Sequence, residues 1–99
     1  MLNTVSYTRN GTIGILKIDQ PKTRNALDWS MQHRFAEIVR QCADDATLRA
    51  LIITGSHTTF LAGGNIRDQV DHYDAATGTK LHRIMSDALT ALTQLPYPV

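Results

Sequence analysis

Leu48-Arg49-Ala50-Leu51-Ile52-Ile53-Thr54-Gly55 is the stretch on which the reading of the fold turns. Its centre, Ala50 to Ile53, is continuously apolar rather than alternating. That pattern predicts a strand buried on both faces, as in a parallel sheet covered by helices. Upstream, Leu27, Met31, Phe35, Ile38, Val39 and Cys42 recur at helical spacing, while Asp28, Gln32, Arg34, Glu37 and Arg40 fall on other faces. The spacing predicts a helix from about Asp28 to about Ala43, capped by Asn25 or Asp28. Before it, Asp19-Gln20-Pro21 ends an extended segment, because proline removes a ladder donor and restricts the residue before it. Residues 4–18 read as a β-hairpin turning at Asn10-Gly11, a pair that tolerates positive φ at both central positions.

Downstream, Gly55 to Thr59 is a loop, and Phe60-Leu61-Ala62-Gly63-Gly64-Asn65-Ile66 leads into a short helical turn. Leu81, Ile84, Met85, Ala88, Leu89, Leu92 and Leu95 form an apolar stripe, predicting a helix from about Thr77 to Leu95. Pro96-Tyr97-Pro98 ends it, and Val99 reads as the first residue of a further core strand. The predicted class is α/β.

Composition narrows the function. Ten Lys+Arg against nine Asp+Glu leave a net charge of +1, without the basic excess that a nucleic-acid surface requires. No apolar run approaches membrane-spanning length, and no leader-like start is present. A single cysteine, Cys42, excludes an internal disulfide framework and points to a reducing compartment, read here as the cytoplasm. Eight of the nine acids are Asp, so a mechanism needing two glutamates is excluded within this chain. His33, His57, His72 and His82 lack metal-ligand spacing, and Asp71-His72-Tyr73-Asp74 reads as a polar loop before a helix rather than a metal site. Neither a P-loop nor a dinucleotide fingerprint occurs.

Four segments together carry a family resemblance. Asp19-Gln20-Pro21-Lys22-Thr23-Arg24-Asn25-Ala26-Leu27, the strand from Leu48 to Gly55 with Asp44-Asp45 before it, Phe60 to Ile66, and Leu95-Pro96-Tyr97-Pro98-Val99 stand in one order and at one spacing. That succession resembles the N-terminal part of the crotonase family, the enoyl-CoA hydratases and isomerases. The resemblance implies a crotonase-like spiral of ββα units, with residues 1–99 as an incomplete N-terminal part of one domain. Two departures stand out: Asn65 where the family has Asp, which keeps a capping role without the charge, and Leu61 where a small residue is usual, which reshapes the acyl pocket.

The chemistry implied is stabilisation of an enolate. As a CoA thioester reacts at its α-carbon, negative charge grows on the thioester oxygen. Two fixed backbone N–H groups aimed there favour the transition state over the ground state, each worth roughly 3 kcal/mol. By resemblance Gly64 supplies one donor, and the other comes from a glycine-rich segment beyond Val99. Taken alone, Gly63-Gly64 reads more simply as a tight strand-to-helix turn; the other three segments shift the reading. Arg24, Ala26, Ala62, Gly64, Asn65, Ile66 and Arg67 are the substrate-binding residues the resemblance implies, Arg24 and Ala26 beside the nucleotide and pantetheine of CoA and Arg67 near its adenine or phosphates, with Lys22 assisting; the alternative for each cation is a solvated surface charge.

The expectation is therefore acyl-CoA or enoyl-CoA chemistry, with no metal and no cofactor beyond the CoA of the substrate, as part of a longer enzyme of fatty acid metabolism that assembles as a trimer or dimer of trimers. The 99-residue piece alone is expected to be inactive. The alternative is a truncated or decayed scaffold that binds CoA or a protein partner without turnover.

Overall fold

The computed structural model describes residues 4–23, 25, 27–56, 60 and 75–99, the side chains of 23 and 75–82 excepted. Strands β1 (Val5–Asn10), β2 (Ile13–Ile18) and β3 (Ala50–Thr54) form one sheet in the order β1-β2-β3. β1 and β2 are antiparallel, with Val5 opposite Ile18 and Asn10 opposite Ile13. β2 and β3 are parallel, with Gly14 beside Leu51 and Lys17 beside Thr54. Between them the chain crosses over through a 3-10 turn, Pro21–Thr23, and helix α1, Trp29–Ala43. Helix α2, Ala75–Thr93, packs against α1. The class is α/β, as the apolar β3 segment predicts.

The hairpin turn departs from expectation. Asn10 stays in the strand, and Gly11, at φ +63°, takes the left-handed position of a loop of two residues. Glycine adopts that conformation without the steric cost an asparagine carries, so the turn settles one residue later than Asn10-Gly11 suggests. On β2, Gly14 lies under the Tyr7 ring, and a Cβ there would stand 2.6 Å from the Tyr7 hydroxyl.

One apolar cluster joins sheet and helices. Val5, Leu16, Ile18 and Leu51 meet Met31, Phe35, Ile38, Val39 and Cys42 from α1 and Ala88 from α2. Complete burial of such a side chain contributes about 1.5–3 kcal/mol relative to exposure. Asp28 caps α1, its carboxylate accepting the Met31 N–H at 2.9 Å. Gln32, expected on a polar face, is instead buried, and its Nε2 donates to the Leu27 carbonyl at 3.0 Å. A buried amide is tolerated where such a partner exists.

Two further expectations are corrected. Among the described residues β3 has one buried face: Leu51 is buried, whereas Ile52 is 48% exposed and shares the opposite face with Ile13 and Ile15. The run of four apolar residues reflects β propensity as much as burial. Leu89, placed in the α2 stripe, is 52% exposed, and Ala91 packs on the cluster in its stead. The Leu51 N–H donates to the Pro98 carbonyl at 3.0 Å, so the segment after α2 lies along β3 on the side away from β2. Among the described residues, no helix is long and apolar enough to cross a membrane.

Candidate functional site

Because β2 and β3 run parallel, their carboxyl ends lie at the same side of the sheet. The chain therefore leaves the two strands side by side, at Asp19 and at Gly55, and the capped start of α1 completes that end. In open α/β sheets this is where ligands collect, because the loops there are free to vary while the strands beneath are held by packing.

Asn25 organises this end. It is 1% exposed and holds φ at +63°, the region that asparagine enters more readily than other residues with a side chain. Its N–H donates to the Gln20 carbonyl at 2.9 Å, and its Oδ1 accepts the Gln20 N–H at 2.7 Å. Those two bonds close the loop around the 3-10 turn Pro21–Thr23. The same amide reaches the exit of β3, Nδ2 donating to the Phe60 carbonyl at 3.1 Å and Oδ1 accepting from the Ser56 hydroxyl at 3.4 Å. On the α1 side, the Gln32 bond to the Leu27 carbonyl holds the other end of the loop. Asn25 was one of two candidate caps for α1; Asp28 takes that role, and the left-handed backbone directs Asn25 into the loop instead.

Of the residues expected to form the site, Arg24, Ala26, Ala62, Gly64, Asn65, Ile66 and Arg67 lie outside the described residues, as does the Asp71 to Asp74 loop. Lys22 is exposed in the 3-10 turn. What the geometry brings together is their flanks: Asn25, between Arg24 and Ala26 in the chain, is bonded to Phe60, which opens the Phe60 to Ile66 segment. Sequence reasoning missed this tie. The available signal was an asparagine just after a proline-led loop, the residue type suited to a left-handed position and able to donate and accept at once.

The opposite end of the sheet carries the unusual titrations. Burial, with Cys42 adding to it, pushes the Tyr7 hydroxyl up to about 12, and that buried oxygen has no hydrogen bond among the described residues. Burial likewise raises the Cys42 thiol, which reads as a small buried hydrophobe rather than a nucleophile. Glu37 is exposed and paired with Arg34 at 3.1 Å on the surface of α1. No cluster of acids, histidines and cysteines fit to hold a metal occurs among the described residues.

Comparison with solved structures places this architecture. The chain superposes on the enoyl-CoA hydratase of Mycobacterium smegmatis with a TM-score of 0.90 at 24% identity, covering 99% of this chain and 38% of that one. Against AtuE of Pseudomonas aeruginosa the TM-score is 0.85 at 24% identity, over 96% of this chain and 38% of the other. The fold is that of crotonase enzymes. The enoyl-CoA hydratase/isomerase family model matches residues 8–99, and the chain belongs to that family. Among curated relatives, 1,2-epoxyphenylacetyl-CoA isomerase of Escherichia coli is 30% identical over 98 residues, covering 96% of this chain and 37% of the relative. Carnitinyl-CoA dehydratase of Escherichia coli is 36% identical over 64 residues, 65% of this chain and 24% of the relative. The chain thus spans between 24% and 37% of the length of these two relatives.

Proposed function

We propose that this chain is the front part of an acyl-CoA enzyme of the hydratase or isomerase kind, and that it supplies one donor of a backbone oxyanion hole, the Gly64 N–H. The observation that carries the reading is the segment Phe60-Leu61-Ala62-Gly63-Gly64-Asn65-Ile66 within the family match, entered from a peptide carbonyl that Asn25 holds at the carboxyl end of the parallel strands. Backbone must come close to the thioester oxygen, and paired glycines permit that approach. As the oxygen gains charge the Gly64 N–H bonds to it more strongly than to the neutral carbonyl, and that difference lowers the barrier. Arg24 and Ala26 are assigned to the nucleotide and pantetheine of CoA, Arg67 to its adenine or phosphates, and Ala62, Asn65 and Ile66 to the remaining substrate contacts. The second donor and the acid/base groups come from beyond Val99; Glu37, exposed and ion-paired on α1, does not serve. The assembled enzyme is a cytoplasmic homo-oligomer needing no cofactor other than substrate CoA.

Calorimetric titration with butyryl-CoA, alongside a hydration assay on crotonyl-CoA, tests this. The expected result is saturable binding with no turnover, since one donor without its partner and without an acid/base pair leaves most of the barrier standing. Appreciable turnover by the 99-residue chain overturns the half-site reading. Absence of binding overturns the acyl-CoA reading and favours a scaffold that meets protein partners.

A further inference from the structure

Helices α1 and α2 leave between them an open cleft of about 180 Å³. Its floor is apolar, formed by Ala36 and Val39 from α1 with Ile84, Ala88 and Ala91 from α2. These positions follow helical spacing, so each helix turns one face to the cleft. Alanine keeps the floor low, which lets a second surface approach closely. Two charges stand at the walls, Arg40 on α1 and Asp87 on α2, both exposed. Among the described residues neither side chain forms an ion pair or a hydrogen bond. Opposite charges that flank one cleft without closing on each other are open to partners from outside.

We infer that the α1/α2 cleft is an interface between two copies of this chain, related by a two-fold axis through the cleft, with Arg40 of each copy paired to the partner's Asp87. Two points on a surface are exchanged by a two-fold axis that passes midway between them. An axis midway between Arg40 and Asp87 therefore sets each cation over the partner's carboxylate, twice in one interface, and brings the two apolar floors together. Other occupants fit less well. An acidic segment opposes Asp87, a basic one opposes Arg40, and an apolar one strips water from both without supplying a counter-charge. The inference rests on the homo-oligomer of the reading above, for which it names the surface, and uses none of its acyl-CoA chemistry.

Sedimentation velocity on the full chain, over a series from about 5 to 500 µM, tests the interface, with circular dichroism to show that each variant is folded. The unaltered chain is expected to show a monomer–dimer equilibrium that weakens between about 0.05 and 0.5 M sodium chloride, a readout that needs no substitution. Arg40→Asp and Asp87→Arg, each alone, set like charges against each other at both symmetric positions. Each is expected to raise the dissociation constant about tenfold or more. Mixed in equal amounts, the two variants are expected to form a heterodimer, because one then presents two anions to the two cations of the other. A chain carrying both substitutions is expected to dimerise as the unaltered one does. Recovery on mixing is something that neither a merely structural role nor a pairing within one chain produces. Four results overturn the inference: an unaltered chain that stays monomeric, a dimer indifferent to salt, a dimer that either single variant leaves intact, or single variants that stay monomeric when mixed. Titration with butyryl-CoA keeps the two readings apart. A monomer that binds it refutes the interface and leaves the acyl-CoA reading standing, and a dimer that does not bind it does the reverse.

Discussion

At the carboxyl end of β2 and β3 a buried side chain, Asn25, joins Gln20, Ser56 and Phe60. At the amino end, Arg9 makes its contacts in the open: to Asp45 at 2.9 Å, to Thr47 at 2.8 Å and to the Gly11 carbonyl at 3.0 Å. The two polar clusters look alike as hydrogen-bond lists and differ in what breaking them costs. A buried donor or acceptor stripped of its partner cannot turn to solvent, whereas the Arg9 cluster rehydrates at once. The difference teaches where precision is stored. The end that carries the candidate site is held by bonds with no replacement, and the far end is held by packing.

The largest expected effect is on Asn25. Asn25→Ala places a Cβ residue with no local polar partner in the left-handed region and removes the side-chain bonds to the Gln20 N–H and the Phe60 carbonyl. Urea unfolding should show a loss of about 2–4 kcal/mol. Asp45→Ala, at the other end, should lower the midpoint far less. Equal losses would break the comparison.

Packing at the far end gives the next effect. Gly14→Ala sets a methyl 2.6 Å from the Tyr7 oxygen, and the resulting overpacking should cost about 1–3 kcal/mol in the same assay. A Tyr7→Phe background should recover part of that loss, because the nearest clashing atom is gone. Alone, Tyr7→Phe should be neutral or slightly stabilising at neutral pH, since it removes a buried hydroxyl without a hydrogen bond among the described residues. In alkali its effect should grow. The unfolded chain ionises near the ordinary tyrosine value of 10, the folded one only at about 12, so stability declines as pH rises from 10 toward 12. Tyr7→Phe should flatten that decline only in part, because the raised Tyr97 hydroxyl and Cys42 thiol contribute to it as well.

The smallest effect is acidic. The Thr47 hydroxyl, then the Thr47 N–H, then Arg9 hold the Asp45 carboxyl below its usual 3.8. Its contribution is therefore full above that value and disappears as pH falls through the lower folded one. Thermal midpoints for Asp45→Asn and the unaltered chain, measured through this range, should converge in acid. The Arg9 share should shrink in added salt. A gap that widens on acidification would reverse the sign assigned here.

Much of the fold was legible because its signals are local. Met31, Phe35, Ile38, Val39 and Cys42 repeat at helical spacing, and all five are buried in α1. The hairpin was readable from two β-rich runs around Asn10-Gly11, although the left-handed residue proved to be Gly11 alone. Ile52 and Leu89 are exposed for a shared reason: an apolar run or a helical stripe tells which residues can face a neighbour, not whether a neighbour arrives. Gln32 was misread in the converse sense, since a polar residue is admitted to the interior once a carbonyl such as that of Leu27 waits there.

For the candidate site, the order of the Asn25-Ala26-Leu27 and Ala62-Gly63-Gly64 segments was enough to identify the family, and the match over residues 8–99 bears that out. The amino-acid sequence by itself determined the elements, the α/β class and the crotonase kinship, because helical period, β-branching and turn residues act over a few neighbours. Only the tertiary structure decided that Asn25 would leave the helix cap to Asp28 and bind Phe60. A bond between groups 35 residues apart exists only once the parallel pairing of β2 and β3 has brought their two exit loops together.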